Sequence, residues 1–245
     1  YYYMASVYRD LNDYPNAVTY FLKSTEVAES NSDIDGALWE CTYSQLSYLY
    51  NQQFNYSSAL DAAIKGLDIA EKFNTSNERT YINTSTAYFE SGDTTNATTL
   101  CNKAINNIIG NGISKSNADI VSKAMYHYTI TNQYLHAGLC YELLKSLPKN
   151  ELPRNYIPNV AVYLERFVSA DSAAITMSEL YATTNSIESK YDAARWLTRY
   201  YVAKGEYEKA ADYAINFINA NEAVIDKRNF EHTTNANNFY RYRRD

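Results

Sequence analysis

Apolar and small residues recur along this chain at a spacing that predicts pairs of α-helices. Near residue 200, Ala194, Leu197 and Tyr201 follow one another at intervals of three and four residues, which places them on one helical face. The polar turn that follows contains Gly205, and glycine is favoured where a helix ends in the left-handed conformation. Apolar residues resume at helical spacing from 207 to 217, so the stretch predicts a helix–turn–helix unit.

The same unit recurs along the chain. Each copy has a bulky residue, an alanine nine positions later and usually an apolar residue four further on: Tyr8…Ala17…Phe21, Tyr50…Ala59…Ala63, Tyr88…Ala97…Cys101, Tyr128…Ala137…Tyr141, Leu164…Ala173…Met177 and Tyr201…Ala210…Ala214. Successive alanines are 42, 38, 40, 36 and 37 residues apart. Six copies at such a period are typical of a helical solenoid. We expect the alanine to lie where two helices cross, because a larger side chain would separate their axes.

This pattern resembles the tetratricopeptide repeat family over nearly all of the chain. The family repeat usually has about 34 residues, and the longer period here resembles the extended repeats of bacterial regulators. The position of the family's first-helix tryptophan is taken in the first three copies by Tyr1, Tyr43 and Tyr81; its first-helix glycine is replaced by Ala5, Ser47, Ser85, Met125, Ala161 and Thr198. The resemblance implies an all-α, right-handed superhelical solenoid of helix–turn–helix repeats, with about twelve or thirteen helices.

We expect one repeat array over residues 1–220, followed by a C-terminal capping or linker helix over 221–245. The predicted repeats span 1–33, 37–75, 78–112, 116–148, 155–188 and 191–220. Three prolines interrupt the pattern at 147–158, which we interpret as a surface loop or, alternatively, as a hinge. Since neither end of the sequence has the character of a complete terminus, we expect a segment of a longer protein.

Composition and charge narrow the classes of function. The net charge of −6 argues against direct nucleic-acid binding, which needs an excess of lysine and arginine. No apolar run is long enough to predict a membrane span or insertion. The three cysteines are far apart and predict no disulfide framework. The high tyrosine and asparagine content favours a bacterial protein, in the cytoplasm or periplasm, with attachment to a membrane segment beyond residue 245 left open.

No catalytic motif is present, so we predict a protein that is not an enzyme and needs no cofactor. His136 and Cys140 lie four residues apart on a predicted helix and could face one metal ion. Zinc needs at least three protein ligands, and no third one is close in sequence. Two packed side chains are therefore the favoured interpretation, and no metal site is predicted.

In the tetratricopeptide family, first-helix positions line the inner surface of the superhelix. Carried over, the resemblance implies a lining of Tyr2, Ser6, Arg9, Ser44, Tyr48, Asn51, Arg79, Ile82, Thr86, Phe89, Ser122, Tyr126, Thr129, Val162, Glu165, Arg166, Arg195, Arg199 and Val202. Tyrosine, asparagine and arginine can hold the amides or carboxylates of a partner. The predicted binding residues are therefore Arg9, Tyr48, Asn51, Arg79, Tyr126, Arg195 and Arg199. For any single one, a merely solvated groove residue is the alternative.

The predicted function is non-catalytic binding of a protein or peptide in the concave groove. The resemblance favours the sensor or interaction segment of a longer bacterial regulator, acting in signal transduction or as part of a transcriptional regulator. The alternative is a stand-alone assembly scaffold or adaptor without signalling output. Assembly into a homo-oligomer is left open.

Overall fold

A computed structural model describes residues 1–31, 35–75, 77–153, 156–219 and 221–222. Within these ranges the secondary structure is helical, without a β-strand. The helices are α1 (Tyr2–Asp10), α2 (Tyr14–Glu29), α3 (Gly36–Gln52), α4 (Tyr56–Lys72), α5 (Glu78–Glu90), α6 (Thr94–Asn111), α7 (Ala118–Ile130), α8 (Tyr134–Lys145), α9 (Tyr156–Phe167), α10 (Ala170–Thr183) and α11 (Ile187–Lys204). A further helical stretch at 207–219 is called α12, and a single 3₁₀ turn spans Lys149–Glu151. The predicted all-α class is confirmed.

The chain divides into two compact units, Tyr1–His127 and Tyr128–Asp245, and each is described by itself. In the first unit α1 packs on α2, α3 on α4 and α5 on α6, and each pair also contacts the next. In the second unit α9 packs on α10, and α10 on α11. None of the described helices combines the length and the apolar character needed to cross a bilayer.

One backbone hydrogen bond closes every described turn between the paired helices. The N–H of the residue that precedes the second helix donates to the carbonyl of the repeated bulky residue, at 2.8–3.0 Å: Asp13 to Tyr8, Asn55 to Tyr50, Asp93 to Tyr88, Gln133 to Tyr128, Ser169 to Leu164 and Glu206 to Tyr201. In five of these turns the intervening residue has positive φ: Asn12, Phe54, Gly92, Asn132 and Gly205. This is the geometry of a Schellman-type helix end. The bulky residue of the repeat therefore marks the last turn of the first helix.

The alanine of the repeat lies in the first turn of the second helix, against its neighbour. All six repeat alanines are at most 4% exposed. In the first unit Ala17 belongs to a core with Phe21 and Leu46, and in the second Ala173 packs with Met177 and Leu197. Larger aromatic side chains surround both cores. The small residue thus permits close helix packing, while the aromatic rings fill the space around it.

The proline-containing segment, predicted over 147–158, ends before residue 156. Helix α9 begins at Tyr156 and includes Pro158 in its first turn. Proline is tolerated there because the first N–H groups of a helix have no intrahelical partner. The expected capping or linker helix over 221–245 lies, apart from 221–222, outside the described residues.

Candidate functional site

A groove in the first unit is lined mainly by the first helices of successive pairs. We call it the α1–α7 groove; its volume is about 560 Å³, within the range of ligand pockets. Its lining consists of Arg9, Asp10, Asn12, Tyr14, Ser44, Gln45, Ser47, Tyr48, Asn51, Asn83, Thr86 and Lys123. Most of these side chains are amides, hydroxyls or charged groups, so the groove can form several directed hydrogen bonds.

Helical periodicity on α3 supplies the middle of the groove. Ser44, Tyr48 and Asn51 lie four and three residues apart and therefore share one face. On another face of the same helix, Leu46 and Leu49 are buried in the core. Burial of these leucines fixes the rotation of α3 and thereby directs Tyr48 and Asn51 to the groove.

Arg9 borders the groove at the end formed by α1. Its Nε and Nη2 atoms donate to Oδ1 of Asp10, at 2.9 and 2.8 Å, and its Nη1 donates to Oε1 of Gln45 on α3. These bonds hold the guanidinium in place and join the two helices. Because Asp10 compensates its charge, Arg9 presents an oriented but nearly neutral pair to a ligand.

Tyr48 and Asn51 present different chemistry side by side. Tyr48 is 49% exposed, so its ring is available for packing against a ligand. Oδ1 of Asn51 is buried and has no hydrogen-bond partner in the structure. A buried acceptor without a partner costs about 1–3 kcal/mol. A ligand that turns the Asn51 amide toward the groove and donates an N–H to its oxygen would remove this penalty.

Lys123, on α7, forms the opposite end of the groove and was not predicted from the sequence. Burial lowers the pKa of its ammonium group, and the nearby Arg79 lowers it further, whereas Asp119 raises it. Asp119 itself is held by Arg79, whose Nη1 and Nη2 donate to its two carboxylate oxygens at 2.8 and 2.9 Å. The pKa of Asp119 is accordingly lowered: Arg79 and Lys123 outweigh burial, which alone would raise it.

The seven predicted binding residues do not all meet at this site. Arg9, Tyr48 and Asn51 line the groove together. Arg79 lies outside its lining and links α5 to the start of α7, where it also donates to the Ser116 carbonyl. Tyr126 is partly exposed beside His127, also outside the lining. Arg195 and Arg199 are exposed on α11, in the second unit.

Three positions carried over from the family pattern are wrong as groove residues. Ile82, Ser122 and Thr129 are completely buried. Both α5 and α7 are packed on more than one side, so a larger part of their circumference faces other helices. Asn83 and Lys123, each one residue further along, line the groove instead.

His136 and Cys140 differ in environment. Cys140 is fully buried, whereas His136 is exposed with its ring 5.0 Å from that of Tyr128. Across the described residues there is no group of three or more metal-ligating side chains. The buried histidine is His127, which stacks on Phe89 at 4.9 Å; burial and then Lys123 lower its pKa to about 4.

The second unit has a pocket of its own between α10 and α11, with a volume of about 500 Å³. Its walls include Ile175, Tyr200 and Tyr201. The Tyr200 hydroxyl donates to Asp171 at 2.6 Å, and Lys204 forms an ion pair with the same carboxylate at 2.8 Å. Of its two acidic groups, Asp171 and Glu179, the first is already paired, and most of the remaining wall is apolar or aromatic.

Comparison with known proteins identifies the type of fold. No protein-family model and no curated protein matches the sequence. Solved structures do match. Their sequence identities to this chain are low, so the similarity concerns the fold alone. A STAND protein with a tetratricopeptide repeat sensor from Pyrococcus horikoshii superposes with a TM-score of 0.67 at 17% identity, over 93% of this chain and 37% of that one.

The quorum sensor NprR is similar too. Its apo form from B. thuringiensis gives a TM-score of 0.65 at 14% identity, over 96% of this chain and 67% of that one. NprR in complex with its cognate peptide NprX gives 0.61 at 14% identity, over 99% and 71%. The chain therefore has the tetratricopeptide-like repeat fold, an all-α repeat solenoid.

Proposed function

We propose that this chain is a non-catalytic scaffold that binds a peptide, or an extended segment of a protein, in the α1–α7 groove. The observation that carries the proposal is the Asn51 amide, which borders the groove with a buried oxygen that lacks a hydrogen-bond partner. A peptide offers an N–H donor at nearly every residue. The peptide complex of NprR, which has the same fold, supports this choice of ligand.

The lining suits an extended chain better than a reacting substrate. Gln45, Asn51 and Asn83 each carry an amide that can donate to and accept from a peptide backbone. Tyr48 adds an exposed ring for a ligand side chain. The described lining contains hydroxyl groups but no histidine or cysteine, and its carboxylate, Asp10, is held by Arg9.

Affinity selection from a random heptapeptide library tests the proposal. Immobilised wild-type chain should enrich a set of related peptides. Replacement of Asn51 by alanine should lower the affinity for these peptides by up to about tenfold, which is the contribution of a single lost hydrogen bond. Asn107→Ala is the matched control, because Asn107 is exposed on α6 outside the groove. Failure to enrich any peptide, or equal binding by the Asn51 variant, would contradict the proposal.

We further propose that this scaffold is the sensor segment of a longer bacterial regulator. The similarity to a STAND tetratricopeptide sensor and to NprR supports this role. The remainder of the gene should then encode a DNA-binding or kinase module or a membrane segment. A stop codon shortly after Asp245, with a stable protein complex recovered by pull-down, would favour the assembly scaffold instead.

A further inference from the structure

We propose that Lys123 is the anion-binding residue of the α1–α7 groove, and that the ligand carries a carboxylate that binds its ammonium group. The inference rests on the proposed function and specifies the chemistry of the ligand. It also places the acidic group of the ligand at the α7 end of the groove.

Lys123 feels the attraction of Asp119 but forms no close ion pair of its own within the described residues. Lys123 is half-buried and lines the groove, yet no ion pair within 4.0 Å joins it to an acidic group in the described part of the chain. Asp119, one helical turn earlier, is already bound through both oxygens by Arg79. A desolvated cation without a close partner is costly, and a ligand carboxylate would relieve that cost.

Of the cationic groups beside Lys123, Arg79 is already held by both carboxylate oxygens of Asp119. Burial and Lys123 itself lower the pKa of His127 to about 4, so His127 is neutral near pH 7. Burial also lowers the pKa of Lys123, which shows that its environment penalises the charged form when the groove holds no anion. Asn83, another lining residue, can add a neutral amide donor to a bound carboxylate.

The opposite end of the groove differs in charge. Arg9 is paired with Asp10 and bonded to Gln45, so its positive charge is already balanced. The Asp10 carboxylate, exposed beside it, would repel a ligand carboxylate. The two ends of the groove therefore differ in charge, and the acidic group of a ligand is favoured at Lys123.

Three heptapeptide libraries test the inference. In all three, aspartate and glutamate are left out of the residues allowed at the randomised positions. The first has an amidated C-terminus, the second is amidated with a fixed central glutamate, and the third has a free C-terminal carboxylate. Wild-type chain should retain the second or the third about tenfold better than the first, the worth of a charged hydrogen bond. Comparison of the second with the third tells a side-chain carboxylate from a chain terminus.

Replacement of Lys123 by methionine should abolish this preference, and Lys115→Met, at an exposed position outside the lining, should keep it. Melting curves check the fold, and Lys123→Gln serves if the methionine variant does not fold. Equal retention of all three libraries by wild type, or a preference that survives in the Lys123 variants, would overturn the inference but leave peptide binding intact. If no library is retained, peptide binding and the role of Lys123 both fail.

Discussion

The hydroxyl of Ser85 donates a hydrogen bond of 2.7 Å to the backbone carbonyl of Ala97, directly across the packing of α5 on α6. Both residues are buried. Ser85 occupies the position of the family's first-helix glycine, and Ala97 is the repeat alanine. Two small residues thus bring the helices close enough for a side chain of one to reach the main chain of the other.

Replacement of Ala97 by leucine should destabilise the protein by about 1–3 kcal/mol, because the larger side chain overpacks this crossing. The same holds for Ala137→Leu, since Ala137 is completely buried. Urea unfolding followed by circular dichroism measures both. Damage should extend to adjacent repeats, which bury each other's faces.

Tyr48→Ala and Arg199→Ala are the controls for these alanine replacements. Both residues are exposed, so their removal should leave the free energy of unfolding nearly unchanged. If the exposed substitutions destabilise the protein as much as Ala97→Leu does, the assignment of anchor and surface positions is wrong.

Ser85→Ala should cost about 1–3 kcal/mol, since the Ala97 carbonyl loses a buried hydrogen bond from a side chain. Ser91→Ala is a matched control: its hydroxyl also donates to a backbone carbonyl, that of Tyr88, at 2.7 Å, but at an exposed site. Thermal unfolding of the two variants compares the contributions of the two hydrogen bonds to stability. Similar losses would mean that burial adds nothing to the Ser85 bond.

Replacement of Phe54 by glycine should stabilise the protein by about 1 kcal/mol. Phe54 has φ of 58°, a left-handed conformation that is unfavourable for a residue with a side chain, and it is 78% exposed. At the equivalent turn position Gly92 has φ of 90°, and Gly92→Ala should therefore destabilise. Denaturant midpoints measure both changes; a loss of stability in Phe54→Gly would contradict the prediction.

Stability should fall as the pH drops from 7 to 5, by about 2 kcal/mol from His127 alone. Burial lowers the pKa of this histidine to about 4, so the folded protein keeps it neutral while the unfolded chain binds a proton near pH 6.5. The unfolded state therefore gains protons first, and the contribution of neutral His127 is lost toward pH 4. Urea midpoints across this range measure the effect.

The variant His127→Phe provides the comparison. A phenylalanine can keep a ring contact with Phe89, which stacks on His127 at 4.9 Å, but it does not titrate. Its stability should vary less between pH 7 and 5 than that of the wild type. The same pH dependence in both proteins would assign the effect to other groups.

The repeat architecture could be predicted because the spacing of tyrosine and alanine reflects backbone geometry. Tyr8 and Ala17 lie nine residues apart because a helix end, a turn of three residues and a first helical turn separate them; the other copies have turns of two or three residues and the same interval. Tyr48 and Asn51 could be assigned to the groove from the resemblance to the family, and the buried leucines of α3 fix the rotation that directs them there.

The groove on α5 and α7 could not be predicted as well, because a shift of one residue turns a side chain by about 100° around a helix. Such a shift separates the buried Ile82 and Ser122 from the groove residues Asn83 and Lys123. Nor does local sequence show that Arg79 is bound by Asp119, which lies 40 residues further along. Long-range pairing decides which charges remain available to a ligand.

The closing bond of each turn joins main-chain atoms only, from an N–H to the carbonyl of the repeated bulky residue. Mutation can therefore change the side chains in these turns, as Asn12, Phe54 and Gly92 illustrate, while the nine-residue interval stays constant. The spacing between successive copies varies from 36 to 42 residues, because both the helices and the connections between repeats differ in length. Side-chain composition and repeat length can thus vary from copy to copy while the main-chain turn that defines each repeat is kept.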